Sequence, residues 1–257
     1  MREIDLEQEK TKIIEFIRNY VTKAGKNKVV LGLSGGIDSS VIAALSAEAL
    51  GSSNVHAIIL PFRTTKTANV HDALNLAEKL QINHEMISIT QLVDYYFSEY
   101  EPDASLIRRG NFMARIRMCI LYDFSAAHDA LVVGTGNRSE LLIGYTTQFG
   151  DNACAFEPIG HLYKTEVRQL AAHLKLDKRL IEKAPSADLW NGQTDEDEIG
   201  LSYDILDEIL YLLFDKNAAP EDIVLQGFSE NDVRKVLNLY RNSTFKRRMP
   251  QLMDEED

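Results

Sequence analysis

Residues 29–40 read VVLGLSGGIDSS: an apolar run, a turn of Ser34, Gly35, Gly36, Ile37, Asp38 and Ser39, and then the helix-forming stretch Ser40–Leu45. Gly35 and Gly36 let the backbone come close to an anion, while Ser34, Ser39 and Ser40 offer hydroxyl and amide donors at a helix N-terminus. Such a nest holds a diphosphate. It is not a Walker loop, which needs Gly-Lys-Ser/Thr, and it is not the Gly-x-Gly-x-x-Gly fingerprint of dinucleotide-binding turns. Asp38 occupies the place of a loop cation, which points to a bound magnesium ion. A Gly-Gly pair alone is an ordinary strand-to-helix turn, so the chemical reading rests on the whole of Ser-Gly-Gly-x-Asp-Ser after a buried strand.

A second constellation, GTGNRSELLIGYTTQFGD, fills residues 134–151. By itself it reads as a helix start, with Asn137 as N-cap and Glu140 three residues on. The formal net charge is -11, from 28 Lys and Arg against 39 Asp and Glu, part of it in the tail Asp254–Asp257. That balance argues against non-specific nucleic-acid binding. An acidic chain that binds polyphosphate must concentrate positive charge locally, and it does so at Arg108, Arg109, Arg115 and Arg117 and again at Lys246, Arg247 and Arg248. A solvated helix face is the plain alternative for any one of them. Cys119 and Cys154, the only two cysteines, have no metal or redox spacing and read as small buried hydrophobes.

The elements that must position these residues alternate along the chain. Leu6, Ile13, Ile14, Ile17 and Val21 form one helical stripe over residues 6–21. Strand-like runs at 29–33, 55–60, 84–89 and 130–134 are separated by helical patterns at 38–50, 67–80 and 105–127. The alternation predicts an α/β fold, a doubly wound, mostly parallel sheet with helices on both faces. Ligands in such a sheet collect beyond the carboxyl ends of the strands, where residues 34–39, 61–65 and 135–140 all fall. Further helices are expected near Arg138 and at 163–174, 198–215 and 229–242. With 257 residues the chain reads as a single domain over 1–257. No apolar run reaches the ~20 residues that span a bilayer, and the charged start Met1–Asp5 is not a signal peptide, so a cytoplasmic location is expected.

The first loop resembles the pyrophosphate loop of the ATP pyrophosphatases. Over nearly the whole chain the sequence is similar to the ammonia-dependent NAD synthetases of that superfamily. The matching blocks are SGGIDSS, RRGNFMARIRM at 108–118, GTGNRSE at 134–140, EPIGHLYKTEV at 157–167, PSADLWNGQTDEDEIG at 185–200 and FKRRMP at 245–250. In that family ATP adenylates the carboxylate of deamido-NAD with release of pyrophosphate, and ammonia then displaces AMP. The resemblance implies that Gly32, Leu33, Ser34, Gly35, Gly36, Ile37, Asp38 and Ser39 bind ATP together with Leu60, Thr135, Lys164 and Ser186. Asp38 and Lys164 would be catalytic, and Asp38 with Glu140 would hold magnesium. Arg115, Gln148, Phe245 and Lys246 would contact deamido-NAD.

The chain departs from the common family pattern at four positions. Gln148 replaces a lysine, Ala155 an aspartate, Phe245 a histidine and Ser186 a threonine. Serine keeps the hydroxyl; the other three changes fall on the dinucleotide side. The competing enzyme reading is another ATP pyrophosphatase, a tRNA thiolase or a GMP synthetase-like half, but paired cysteines and a basic RNA-binding face are absent. The non-enzymatic reading, an ATP-binding module of the universal-stress type, would not need Asp38 and Glu140 as a metal pair. Three further expectations follow: a lid at 185–200, a homodimer through the apolar, arginine-bearing helix 106–124, and free ammonia as nitrogen donor, since the chain runs straight into the ATP loop and Cys119 sits in an apolar helix.

Overall fold

The computed structural model describes residues 2–190, 192–250 and 252–253; Met1, Asn191 of the expected lid and the acidic tail 254–257 lie outside the described residues. The chain opens with α1 (Leu6–Lys23), capped by the Asp5 carboxylate. It enters β1 (Lys28–Gly32), whose Val29, Val30 and Leu31 are wholly buried, as a strand covered on both faces requires. The Ser-Gly-Gly loop leads into α2 (Ile37–Leu50) and on to β2 (Val55–Ile59), α3 (Thr67–Leu80) and β3 (Asn83–Met86). Two further helices, α4 (Thr90–Tyr100) and α5 (Leu106–His128), precede β4 (Ala130–Val132).

All three strand pairings are parallel, and the order is β3-β2-β1-β4. The chain moves outward from β1 through β2 to β3 and then returns to the other side of β1. The carboxyl ends of β1 and β4 therefore bound a topological switch point, the place where such sheets open a ligand crevice. One layer, built from α1, α2, α3 and α7 (Lys164–His173), shares a core with Val29, Leu31, Val55, Ala57 and Ile59. The opposite layer places α4 and α5 over Val30, Ile58 and Val132. This is the doubly wound architecture expected from the sequence.

The final third of the chain adds α6 (Arg138–Ile143), α8 (Lys178–Glu182), α9 (Asp195–Ile199), α10 (Tyr203–Phe214), α11 (Pro220–Leu225) and α12 (Glu230–Asn242). Tyr163, Tyr203, Leu206, Ile209, Leu210, Ile223, Val233 and Val236 build a helical core of their own beside the sheet. The single helix expected over 198–215 is in fact two. Gly200 adopts φ 72° and ends α9, and the Ser202 side chain caps α10. Helix α4 has no clear signature in the sequence, because its aromatic run Tyr95-Tyr96-Phe97 obscures the helical period. The strand expected over 84–89 ends at Met86, because β3 is an exposed edge paired on one side only, although Ile87 still donates to the Ile59 carbonyl.

Candidate active site

The Ser34–Ser39 loop is shaped by Gly35, where a side chain would not fit. Gly35 has φ +75°, and a Cβ there would lie 2.1 Å from the Asn69 carbonyl oxygen at the start of α3. The Gly36 amide donates to Ser34 Oγ at 3.2 Å, and the Ser34 and Ser39 hydroxyls meet at 3.1 Å, so two hydroxyls and an amide face the same turn. Ser40 is a correction. Its buried hydroxyl donates to the Gly36 carbonyl at 2.7 Å, a bond to the preceding turn of its own helix; Ser39 Oγ reaches the same carbonyl at 3.1 Å, but Ser40, unlike Ser39, makes no bond to Ser34 in the turn.

Beyond that loop lies a buried ionic centre. Lys164, the first residue of α7, is 3% exposed, and its ammonium donates to Asp38 Oδ2 at 2.5 Å and Glu140 Oε1 at 3.0 Å. Asp38 stands in the first turn of α2 and accepts from Asn137 Nδ2 at 3.0 Å. Asn137 and Glu140 form the capping box of α6, with Asn137 Oδ1 accepting from the Glu140 amide at 3.1 Å and the Asn137 amide donating to Glu140 Oε2 at 3.3 Å. The cap and the site are one structure: the box uses the Asn137 backbone N–H and Oδ1 to fix Glu140 and leaves the side-chain Nδ2 free to reach Asp38.

Ser139, Asp207 and Tyr203 steady the lysine. Ser139 Oγ accepts from the Lys164 amide at 2.9 Å and donates to Asp207, whose other oxygen takes the Thr165 amide at 2.8 Å. The Lys164 ammonium also lies 5.3 Å from the centre of the Tyr203 ring. The buried Asp195 accepts from Tyr145 at 3.1 Å and Tyr203 at 3.3 Å. Burial pushes the Glu140 carboxyl up to about 8, helped by the negative charge of Asp38 and opposed by Lys164. Burial would lower the Lys164 ammonium, but Asp38 and Glu140 outweigh it and the net shift is upward. Asp207 rises to about 6, again chiefly through burial.

These groups open onto one cavity of about 940 Å³ at the switch point, lined by residues 32–39, Leu60, Pro61, Thr65, Thr135, Glu140, Lys164, Ser186 and Lys246. The three sequence segments expected to converge there do so. Other candidates fall elsewhere. Arg115 Nη2 donates to the Gln148 carbonyl at 3.1 Å, bringing those two together, but neither lines the cavity, nor does Phe245, which is 57% exposed. The Lys246 ammonium is held by the Gly144 and Thr146 carbonyls, and Ser186 Oγ donates to the Gln193 carbonyl while accepting from the Asp188 amide. Arg108, Arg109 and Arg247 bond to Glu101, to the Ala104 and Pro102 carbonyls, and to the Leu142 carbonyl, so they serve the fold. Cys119 is exposed rather than buried; Cys154 is half-buried, with burial pushing its thiol up to about 12.

In the sequence Asp188 and Asp195 stand out only as polar residues of the expected lid, Asn137 only as a cap, and Lys183 not at all. Asn137 carried a signal in GTGNRSE; the other three become visible only through distant partners. For magnesium the donor chemistry fits: two hard carboxylates converge on a point that already accepts a cationic group, the Lys164 ammonium. Among the described residues no cluster of three or more His, Cys, Asp or Glu side chains could hold a metal, so water or substrate oxygens would complete the shell.

A parallel sheet with a Ser-Gly-Gly-x-Asp-Ser loop at its switch point defines an ATP pyrophosphatase-type α/β protein. The family model described as NAD synthase matches residues 9–250, and the chain belongs to that family. It is 46% identical to the NH(3)-dependent NAD(+) synthetase of Fusobacterium nucleatum, over 96% of each chain. The solved NH3-dependent NAD synthetase from Campylobacter jejuni in complex with nitrate superposes with a TM-score of 0.84 at 36% identity, covering 98% of this chain and all of that one. An NMN synthetase from Francisella tularensis superposes with a TM-score of 0.88 at 31% identity over the same shares.

Proposed function

We propose that this chain is a ligase that amidates deamido-NAD with ammonia, converting ATP to AMP and pyrophosphate. The observation that carries the reading is that the phosphate loop, Asp38, Glu140 and Lys164 all open onto the same cavity. A carboxylate oxygen of deamido-NAD attacks the α-phosphorus, the bond to pyrophosphate breaks, and an acyl adenylate forms. Ammonia then attacks the acyl carbon, AMP leaves with the carbon–oxygen bond electrons, and the extra proton on nitrogen passes to solvent or a base.

Attack of an anion on a polyphosphate meets charge repulsion, which Lys164 lowers as the loop amide and hydroxyls hold the departing pyrophosphate. Holding both substrates in line is worth about 7–11 kcal/mol. Asp38 and Glu140 would hold magnesium, which supplies charge neutralisation of the phosphate oxygens. Thr135, Leu60 and Ser186 line the ATP side, while Arg115, Gln148, Phe245 and Lys246 are the proposed deamido-NAD contacts. Three of these four lie outside the cavity lining, so the dinucleotide would extend past the cavity.

Residues 185–200 act as a lid in this reading; Leu189 and Trp190 pack on Gly110 of α5, and Leu189 also lines the cavity. Free ammonia as nitrogen donor is supported by the Fusobacterium relative, named NH(3)-dependent and matched over 96% of its length. No helix among the described residues is long and apolar enough to cross a membrane; a cytoplasmic location is proposed from the small-molecule chemistry.

The test is direct: the chain, ATP, magnesium, ammonium and deamido-NAD should yield NAD, faster as pH raises the neutral ammonia fraction, and glutamine should not replace ammonium once free ammonia is scavenged. The likeness to an NMN synthetase gives a second reading, in which the mononucleotide acid is the substrate. Preferred turnover of that acid over deamido-NAD in parallel assays would decide for it.

A further inference from the structure

Lys183 is an ammonium at the cavity edge that the amidation chemistry leaves unused. It follows α8, directly ahead of the Pro185–Gly200 segment, and donates to the Gly35 carbonyl at 2.9 Å, to Asn69 Oδ1 at 2.9 Å and to Asp72 Oδ2 at 2.5 Å. Three acceptors satisfy all three of its N–H groups, leaving none for a ligand. Asn69 in turn donates through Nδ2 to Asp188 Oδ2 at 2.8 Å, and the same oxygen takes the Lys66 amide at 3.0 Å. The phosphate loop, α3 and the lid segment are thus joined through one side chain.

The bond to Gly35 has a stereochemical consequence. In a trans peptide the carbonyl and the following N–H point in opposite directions, so fixing the Gly35 carbonyl fixes the Gly36 N–H. That N–H points toward Ser34 Oγ, into the turn. Between two glycines, the first at φ +75°, little in the local chain opposes a flip of this peptide. A flipped peptide would turn a carbonyl dipole on the phosphates and withdraw the donor.

We propose that Lys183 is a positioning residue: it locks the Gly35–Gly36 peptide with its carbonyl turned out of the nest and its N–H turned in, so that the loop is ready for pyrophosphate. The proposal rests on the reading of residues 32–39 as the ATP phosphate loop. Asp72 aims the ammonium, and Asn69 shares the lock with the lid through Asp188.

The test compares wild type, Lys183→Met, Lys183→Arg and Asp72→Asn for binding of ATP and inorganic pyrophosphate, each with magnesium, and for KM and kcat. Lys183→Met should weaken ATP and pyrophosphate about ten- to a hundredfold, the scale of a lost charged hydrogen bond. Its KM for deamido-NAD should stay within about twofold. Lys183→Arg should recover most of the loss, because a guanidinium can still donate to the Gly35 carbonyl and to Asp72. Asp72→Asn should shift ATP in the same direction by a smaller factor. Wild-type ATP affinity in Lys183→Met, equal weakening of both substrates, or no recovery in the arginine variant would overturn the proposal. If Lys183→Met does not fold, an unchanged ATP affinity in Asp72→Asn overturns it. Failure of the wild type itself to bind ATP would instead remove the loop assignment.

Discussion

Lys164 is clamped between two carboxylates in a site where all three side chains are buried or nearly so, and the charges are therefore worth more than at a surface. Removing either carboxylate leaves the lysine half-compensated and takes away one side of the proposed metal site. Asp38→Ala and Glu140→Ala should each lower turnover by about a hundredfold or more, measured at saturating ATP; near-normal rates in both would refute the assignment. Glu140 also leaves a pH signature. Burial raises its folded-state value above the ordinary 4.5 against the pull of Lys164, so over part of the range above 4.5 the folded chain holds a proton that the unfolded chain has released. Stability from this group is present below about 4.5 and falls as pH rises above it. Thermal melts of Glu140→Gln without nucleotide should therefore gain on wild type between pH 5 and pH 8, and parallel curves would sink the idea.

At the scale of elements, the N-terminus of α6 performs two tasks with one residue, and substitution can separate them. Asn137→Ser keeps a side-chain acceptor for the Glu140 amide but loses the donor to Asp38. Asn137→Ala loses both. The alanine variant should be less stable than the serine variant by roughly 1 kcal/mol, the worth of a cap. Both should lose activity, and a serine variant with wild-type turnover would show the Asp38 contact to be idle. Within 185–200 the Asp195 amide donates to the Pro185 carbonyl and Ser186 Oγ to the Gln193 carbonyl. If it closes over substrates, hydrogen exchange across it should slow when ATP and deamido-NAD are added together, and identical protection with and without them would exclude a lid.

For the whole molecule, α5 resolves which apolar residues are surplus. Met113 is buried, and Phe112, Ile116 and Ile120 pack against the core beneath β1, β2 and β4, whereas Leu106 is 57% and Ile107 65% exposed. These two, with the exposed Tyr122, are what a symmetric partner would cover. Light scattering should report twice the 29.0 kDa of one chain, and Ile107→Glu should shift it to the monomer; a fully active wild-type monomer would contradict the dimer. The parallel sheet, the loop between β1 and α2, the cap of α6 and the convergence of three strand ends are legible in the sequence, because period, glycine placement and capping act over a few residues. The sequence misleads at Ser40, Cys119 and the break between α9 and α10, where a side chain chose a backbone partner, a helix face turned outward, or a glycine and a cap divided one helical pattern. That Lys164 meets Asp38 across 126 positions and Lys183 reaches Gly35 across 148 is set by the folded arrangement alone. Those pairings follow from the sheet order, which brings the ends of β1 and β4 side by side with α7 and α8 packed behind them, and no local pattern encodes a contact that exists only once the sheet has formed.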